Sequence, residues 1–245
     1  MNQRQGPLAR VSWGLRDMLL AGCAAVACVI LGIVLLLGGM ALWRGVGLAA
    51  LPKNVLMLAV FSLEAVLLIP AWIWGGRKYG GGWRSLGLRR FALLKAAVLG
   101  LFAFSGILAI NAMWDVVRKR LGLAPQPDYL PLFGEGLGGL ASALILGGVV
   151  APLAEEVFFR GYLYAGFRER FGIGWGAVIS ALLFSVVHLT PGVLVPIFFM
   201  GILLALLYEY TDSLWPSIVL HGAINSLAFI GAYLVERFPQ LMPGT

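Results

Sequence analysis

From Met18 to Trp43 the chain runs through about 26 residues without one charge. A helix needs roughly 20 apolar residues to cross the hydrocarbon core of a bilayer, so this run alone can span it. Similar runs recur to the C-terminus, and the composition agrees. Of 245 residues 60% are hydrophobic and 12% charged, with a mean hydropathy of +0.92. A soluble domain carries about 25% charged residues. The pattern predicts an all-α, polytopic transmembrane helix bundle forming a single membrane domain over 1–245.

Seven spans are expected, at about 18–43, 54–75, 91–114, 137–167, 175–190, 193–210 and 214–236. At ~1.5 Å per residue the fourth overshoots a core ~30 Å thick. It must tilt, break near Pro152 or hide two pieces, which would make eight spans. The first run is too long for a signal-peptide core, and no A-x-A-like site follows it, so it is read as a retained span.

The net charge of +7 would suggest nucleic acid in a soluble protein. In a membrane protein it reads instead as positive cytoplasmic loops, and no nucleic-acid partner is expected. Arg4, Arg10 and Arg16 lie in the N-terminal tail, and Arg77, Lys78, Arg84, Arg89 and Arg90 in the second loop. Both are assigned to the cytoplasm, as is the loop with Arg168 and Arg170. Cys23 and Cys28 imply neither a disulfide framework nor a thiolate metal site, and are read as buried free thiols.

Ionisable groups at membrane depth cost at least ~2.5–3.5 kcal/mol on insertion scales and tend to mark a functional interior. Lys95 is close enough to a span end to snorkel. Glu64, in "FSLEAVLL", falls in the middle of the second span, where it can pair with a polar group or line a cavity. The stretch "EEVFFRGYLY" is more demanding. Residues four apart share a helix face, whereas neighbours diverge by about 100°. Glu156 is therefore placed to pair with Arg160, leaving Glu155 without a local partner.

The two histidines, His188 and His221, both lie in polar-poor spans. Phe184 precedes His188 by one turn, and "HGAIN" sets His221 and Asn225 on one face. Counted from the expected cytoplasmic ends, Glu155, His188 and Asn225 all come out ~18–20 Å deep, with His221 one turn shallower. Residues from three helices are thus expected to converge.

A carboxylate, two imidazoles and an amide suit water-activated hydrolysis. Glu155 would act as general base and His188 would orient the water. His221 and Asn225 would donate to the oxyanion. Alternatively Glu155, His188 and His221 could ligate one divalent metal such as zinc, with an open position for water. The H-E-x-x-H pattern is absent, and no Ser, Cys or Thr stands beside these groups as a nucleophile. The short fifth span, ending at "HLTPG", leaves room for a hydrated funnel near His188.

At these positions the sequence resembles the CPBP family, which comprises type II CAAX prenyl endopeptidases and Abi proteases. The family pattern E-E-x-x-x-R, F-x-x-x-H and H-x-x-x-N stands here as Glu155-Glu156 with Arg160, Phe184 with His188, and His221 with Asn225. The likeness covers about 155–225, within a catalytic core of about 137–236. It implies an intramembrane endopeptidase, commonly described as a metalloprotease, acting on a membrane-associated peptide or protein. Glu155 would be its base, His188 the partner of that base, and His221 with Asn225 the oxyanion donors. Glu156, Arg160 and Phe184 would support them. A bacterial plasma membrane, with the N-terminus cytoplasmic, is the expected setting.

Two other readings use the same residues. An ion-coupled carrier would relay protons through Glu64, Glu155 and the histidines, but neither repeat symmetry nor paired broken helices is evident. A non-proteolytic immunity or scaffold protein would leave costly buried charge unused.

Overall fold

The computed structural model describes residues 10–45, 63–238 and 240. Arg4 and the first part of the expected second span, 54–62, lie outside the described residues. Those described form helices and connecting turns, with no strand among them. We number the main helices α1 (Leu15–Arg44), α2 (Ala65–Arg77), α3 (Leu93–Arg120), α4 (136–171), α5 (173–186), α6 (Pro191–Thr211) and α7 (Trp215–Arg237).

Five helical stretches are long and apolar enough to cross a membrane: Leu15–Leu42, Leu93–Arg120, Gly136–Val186, Pro191–Thr211 and Trp215–Arg237. Their outer faces are paved with exposed apolar side chains, among them Leu19, Val26, Leu101, Phe102 and Val219. In water such a surface would be unstable; against lipid tails it costs nothing. Several such helices mark an integral membrane protein.

The 51-residue stretch Gly136–Val186 is a hairpin rather than one rod. Gly172, at φ 81° and ψ 172°, adopts a conformation that is essentially restricted to glycine. In a straight helix eight residues advance about 12 Å. Here a Cβ added to Gly176 would lie 2.8 Å from the Arg168 backbone, so the chain doubles back. The Ser180 hydroxyl then donates to the Phe159 carbonyl at 2.8 Å, setting α5 antiparallel to α4. Gly172→Ala is expected to destabilise the fold by about 1–3 kcal/mol, read as a lower unfolding temperature in detergent.

Helix ends moved for local reasons. The third span runs to Arg120 rather than 114, because Asp115 pairs with Lys119 at 2.7 Å and also with Arg118. Such contacts three and four residues apart extend a helix beyond its apolar portion. The fifth ends at Val186, so His188 sits in the turn beyond it and not on the helix. Ser213 accepts the Trp215 N–H at 3.3 Å and Pro216 occupies the first turn of α7. Asp212 ends α6 in the left-handed conformation and pairs with Arg89 at 2.7 Å.

Two expectations about single residues are corrected. Cys23 is exposed and Cys28 half-exposed, because α1 turns much of its surface outward instead of burying its thiols. Arg168 is not a free loop charge. It is buried against Glu209, which its Nε reaches at 2.7 Å and its Nη2 at 3.0 Å.

At the N-terminal side, the Trp13 indole N–H donates to the Tyr162 carbonyl at 3.0 Å and its ring stacks on Tyr162. Asp17, in the first turn of α1, accepts bonds from Lys78 at 2.5 Å and Tyr79 at 2.6 Å. The bond to this carboxylate raises the pKa of the Lys78 ammonium. These contacts fasten α1 to the loop after α2.

Candidate active site

The site is built where α4, α5 and α7 meet. Pro152 has no backbone N–H to give to the preceding turn, and residues 146–150 widen into a π turn just before it. A second π segment follows at Glu156–Tyr164. Such wide turns re-aim side chains and often occur at functional sites. Glycines then let α7 come close, since a Cβ on Gly222 would lie 2.4 Å from the Gly148 carbonyl oxygen. That approach carries His221 onto α4.

Glu156 and Arg160 are completely buried and pair at 2.7 Å, as their four-residue spacing predicts. The same Glu156 oxygen lies 2.9 Å from Nδ1 of His221. The other imidazole nitrogen, Nε2, faces Glu155 at 3.6 Å, too long for a hydrogen bond. Glu155 keeps 14% of its side chain accessible and accepts no hydrogen bond within 3.5 Å among the described residues. One carboxylate is thus fixed by Arg160 and His221, while its neighbour stands beside the same histidine with its oxygens uncommitted.

Phe184 ties the second histidine to this array. The Arg160 guanidinium lies 3.9 Å from its ring centre, and the rings of His188 and His221 meet it edge-on at 4.9 and 5.7 Å. Gly201 makes room for the arginine, since a Cβ there would lie 3.3 Å from Nη2. Nδ1 of His188 is 2.7 Å from the Phe184 carbonyl. A carbonyl can only accept, so Nδ1 carries the proton and Nε2 is left for another partner. Asn225 gives one amide hydrogen to the Gly147 carbonyl at 3.0 Å.

The expected partnership therefore changes in detail. His221, not His188, is the imidazole beside Glu155, because α7 packs on the glycines of α4 while His188 is turned back onto its own helix end. Among the described residues no three His, Cys, Asp or Glu side chains are grouped to hold an ion, while the bond from Nδ1 of His188 to the Phe184 carbonyl leaves its Nε2 open.

Glu64 belongs to the surroundings of this site. The start of α2, immediately after Glu64, packs against residues 151–155. One Glu64 oxygen is enclosed with no hydrogen-bond partner among the described residues. The sequence marked Glu64 by its depth alone, without indicating what it would face.

Taken as geometry, this is an apolar helical bundle with an acid–imidazole–acid–guanidinium chain buried at its centre. The comparisons point to the same class. Residues 138–227 match the family described as Type II CAAX prenyl endopeptidase Rce1-like, and all seven site residues named above from Glu155 to Asn225 fall within that match. YdiL of Bacillus subtilis, described provisionally as a membrane peptidase, is 29% identical over 87 residues, 36% of this chain and 36% of the relative. YxdF of Lactococcus lactis is 25% identical over 97 residues, 39% of this chain and 53% of the relative. The matched part thus spans about a third to a half of these relatives. No solved structure matches. The motif resemblance is borne out: at the level of the family, this segment is similar to CAAX-type membrane peptidases.

Proposed function

We propose that the protein is an intramembrane endopeptidase that hydrolyses a peptide bond of a membrane-associated substrate with water activated by Glu155. The observation that carries this reading is the split between two adjacent carboxylates, one neutralised by Arg160 and one left accessible beside His221.

Glu155 takes a proton from water as the hydroxide oxygen attacks the carbonyl carbon. The carbonyl π electrons move to oxygen, giving the tetrahedral oxyanion. Collapse breaks the C–N bond, and the proton held by Glu155 passes to the departing nitrogen. Glu156 fixes the His221 ring through Nδ1, so the lone pair of Nε2 stays beside Glu155, where it can accept from the proton that Glu155 takes up. The second amide hydrogen of Asn225 is the uncommitted donor left to meet the oxyanion, while Nε2 of His188, with its lone pair free, is left to accept from the attacking water. No step is routed through a metal.

Seven crossings, with the N-terminus in the cytoplasm of a bacterial cell, accommodate the five long helices, the hairpin at Gly172 and the shorter α2. The packing of the start of α2, next to the enclosed Glu64, against residues 151–155 favours a second reading, a proton-coupled carrier, since intramembrane carboxylates often serve in proton relays. One comparison separates the two. Membrane proteomes from cells with the wild-type chain and with Glu155→Gln are mapped by N- and C-terminal peptides. Proteolysis yields new termini only with the wild type, persisting in purified protein treated with a chelator. A carrier yields no such termini, and Glu155-dependent proton flux in proteoliposomes instead.

A further inference from the structure

The loop 77–92 is the most basic on the chain, and its end forms part of a shallow depression at the start of two long helices. The depression, of about 580 Å3, is lined by Leu88, Arg89, Arg90, Phe91 and Trp215. Its floor is built, not incidental. The Leu214 N–H donates to the Gly87 carbonyl at 2.9 Å, and the Ser213 hydroxyl to the Arg89 carbonyl at 2.7 Å. These bonds hold the N-terminal ends of α3 and α7 side by side.

Both helices are of membrane length, so their shared starting level marks one membrane surface. The side chains there agree. Trp83, Phe91 and Trp215 are exposed, as in the aromatic belt at a bilayer interface. Immediately below, Leu93 and Leu94 of α3 are 75% and 79% exposed, an apolar strip continuous with the depression.

The charge is uncompensated. Arg89 is occupied by Asp212 at 2.7 Å and by the Arg84 carbonyl at 2.9 Å. Arg90 is exposed and has neither ion pair nor hydrogen bond among the described residues. Two helix N-termini add positive partial charge to the same spot. An exposed arginine is ordinarily just hydrated. Here it sits over apolar walls at headgroup level, where a guanidinium pairs well with a phosphate diester.

We propose that this depression binds the phosphate of an anionic phospholipid, with Arg90 as its principal contact, Phe91 and Trp215 against the glycerol region, and an acyl chain along Leu93 and Leu94. The apolar walls favour a lipid over free phosphate. The net positive charge disfavours a headgroup that carries its own cation. This assignment is independent of the proteolytic reading.

The test uses the purified full chain in a neutral detergent, titrated with short-chain phosphatidylglycerol, phosphatidylcholine or inorganic phosphate and read by native mass spectrometry. Phosphatidylglycerol is expected to bind about five- to tenfold more tightly than phosphatidylcholine, and Arg90→Gln to remove that preference. Arg90→Lys should retain most of it, and Arg120→Gln, at the far end of α3, all of it. Unfolding temperatures of the variants check that the fold is intact. Equal binding of the two lipids, an unchanged preference in folded Arg90→Gln, or displacement of phosphatidylglycerol by inorganic phosphate at similar concentration would each overturn the proposal.

Discussion

Replacing Glu155 by glutamine is expected to lower peptide cleavage by about 10³-fold, the typical contribution of a positioned general base, while leaving the protein folded. The substitution keeps the shape and removes only the ability to take a proton. Glu155 is not part of the ion pair that buries Arg160; that role belongs to Glu156 at 2.7 Å. Stability in detergent should therefore change by no more than about 1 kcal/mol. Substrate retention should persist, because Asn225, the donor left to meet the carbonyl, is untouched. Cleavage by purified, folded Glu155→Gln at the wild-type rate would remove the base from the mechanism. Loss of cleavage together with loss of folding would point to a structural carboxylate instead. Unfolding temperature and single-turnover cleavage, measured on the same preparation, separate these outcomes.

Much of this arrangement was legible in the sequence because helical periodicity is a local property. The spacing of Glu156 and Arg160 was enough to place them together, and the same rule isolated Glu155. The break near residue 172 could be read from the interruption of the apolar run. What the sequence could not carry was the way one helix seats on another. His221 comes to Glu155 because Gly222 and Gly148 permit a close approach of α7 to α4, and no spacing within a single helix encodes that. His188 was placed on a helix by its hydrophobic neighbours, yet the helix ends at Val186 and the imidazole turns back to the Phe184 carbonyl. The end of α3 was misjudged for a different reason. Hydropathy falls at Asp115, but the pairs Asp115 makes with Arg118 and Lys119 carry the helix on to Arg120.

Glu209 was overlooked although the reasoning applied to Glu64 covers it: an acid within an apolar span requires a partner. Its partner had been counted as a loop arginine. This pair leads to the second large expected effect. Glu209 is fully buried and accepts from Arg168 Nε at 2.7 Å, Arg168 Nη2 at 3.0 Å and the Tyr164 hydroxyl at 2.8 Å. Glu209→Gln keeps the volume but leaves a guanidinium only 8% exposed without its main counter-charge. Breaking a buried ion pair from one side costs about 3–5 kcal/mol. The carboxylate of Glu169, 4.0 Å from Arg168 and 31% exposed, offsets part of this, so the lower end, about 3 kcal/mol, is expected. For a chain of this length that corresponds to an unfolding temperature lower by roughly 6–12 °C. The double substitution Glu209→Gln with Arg168→Met should recover most of the loss, since it removes the stranded charge as well. Cleavage per folded molecule should stay near wild type in both variants, because the pair joins α4 to α6 outside the array around Glu155. A stability loss not recovered in the double variant would assign the effect to packing around Tyr164 rather than to charge. Reduced cleavage in the folded fraction would mean that this ion pair is coupled to the site.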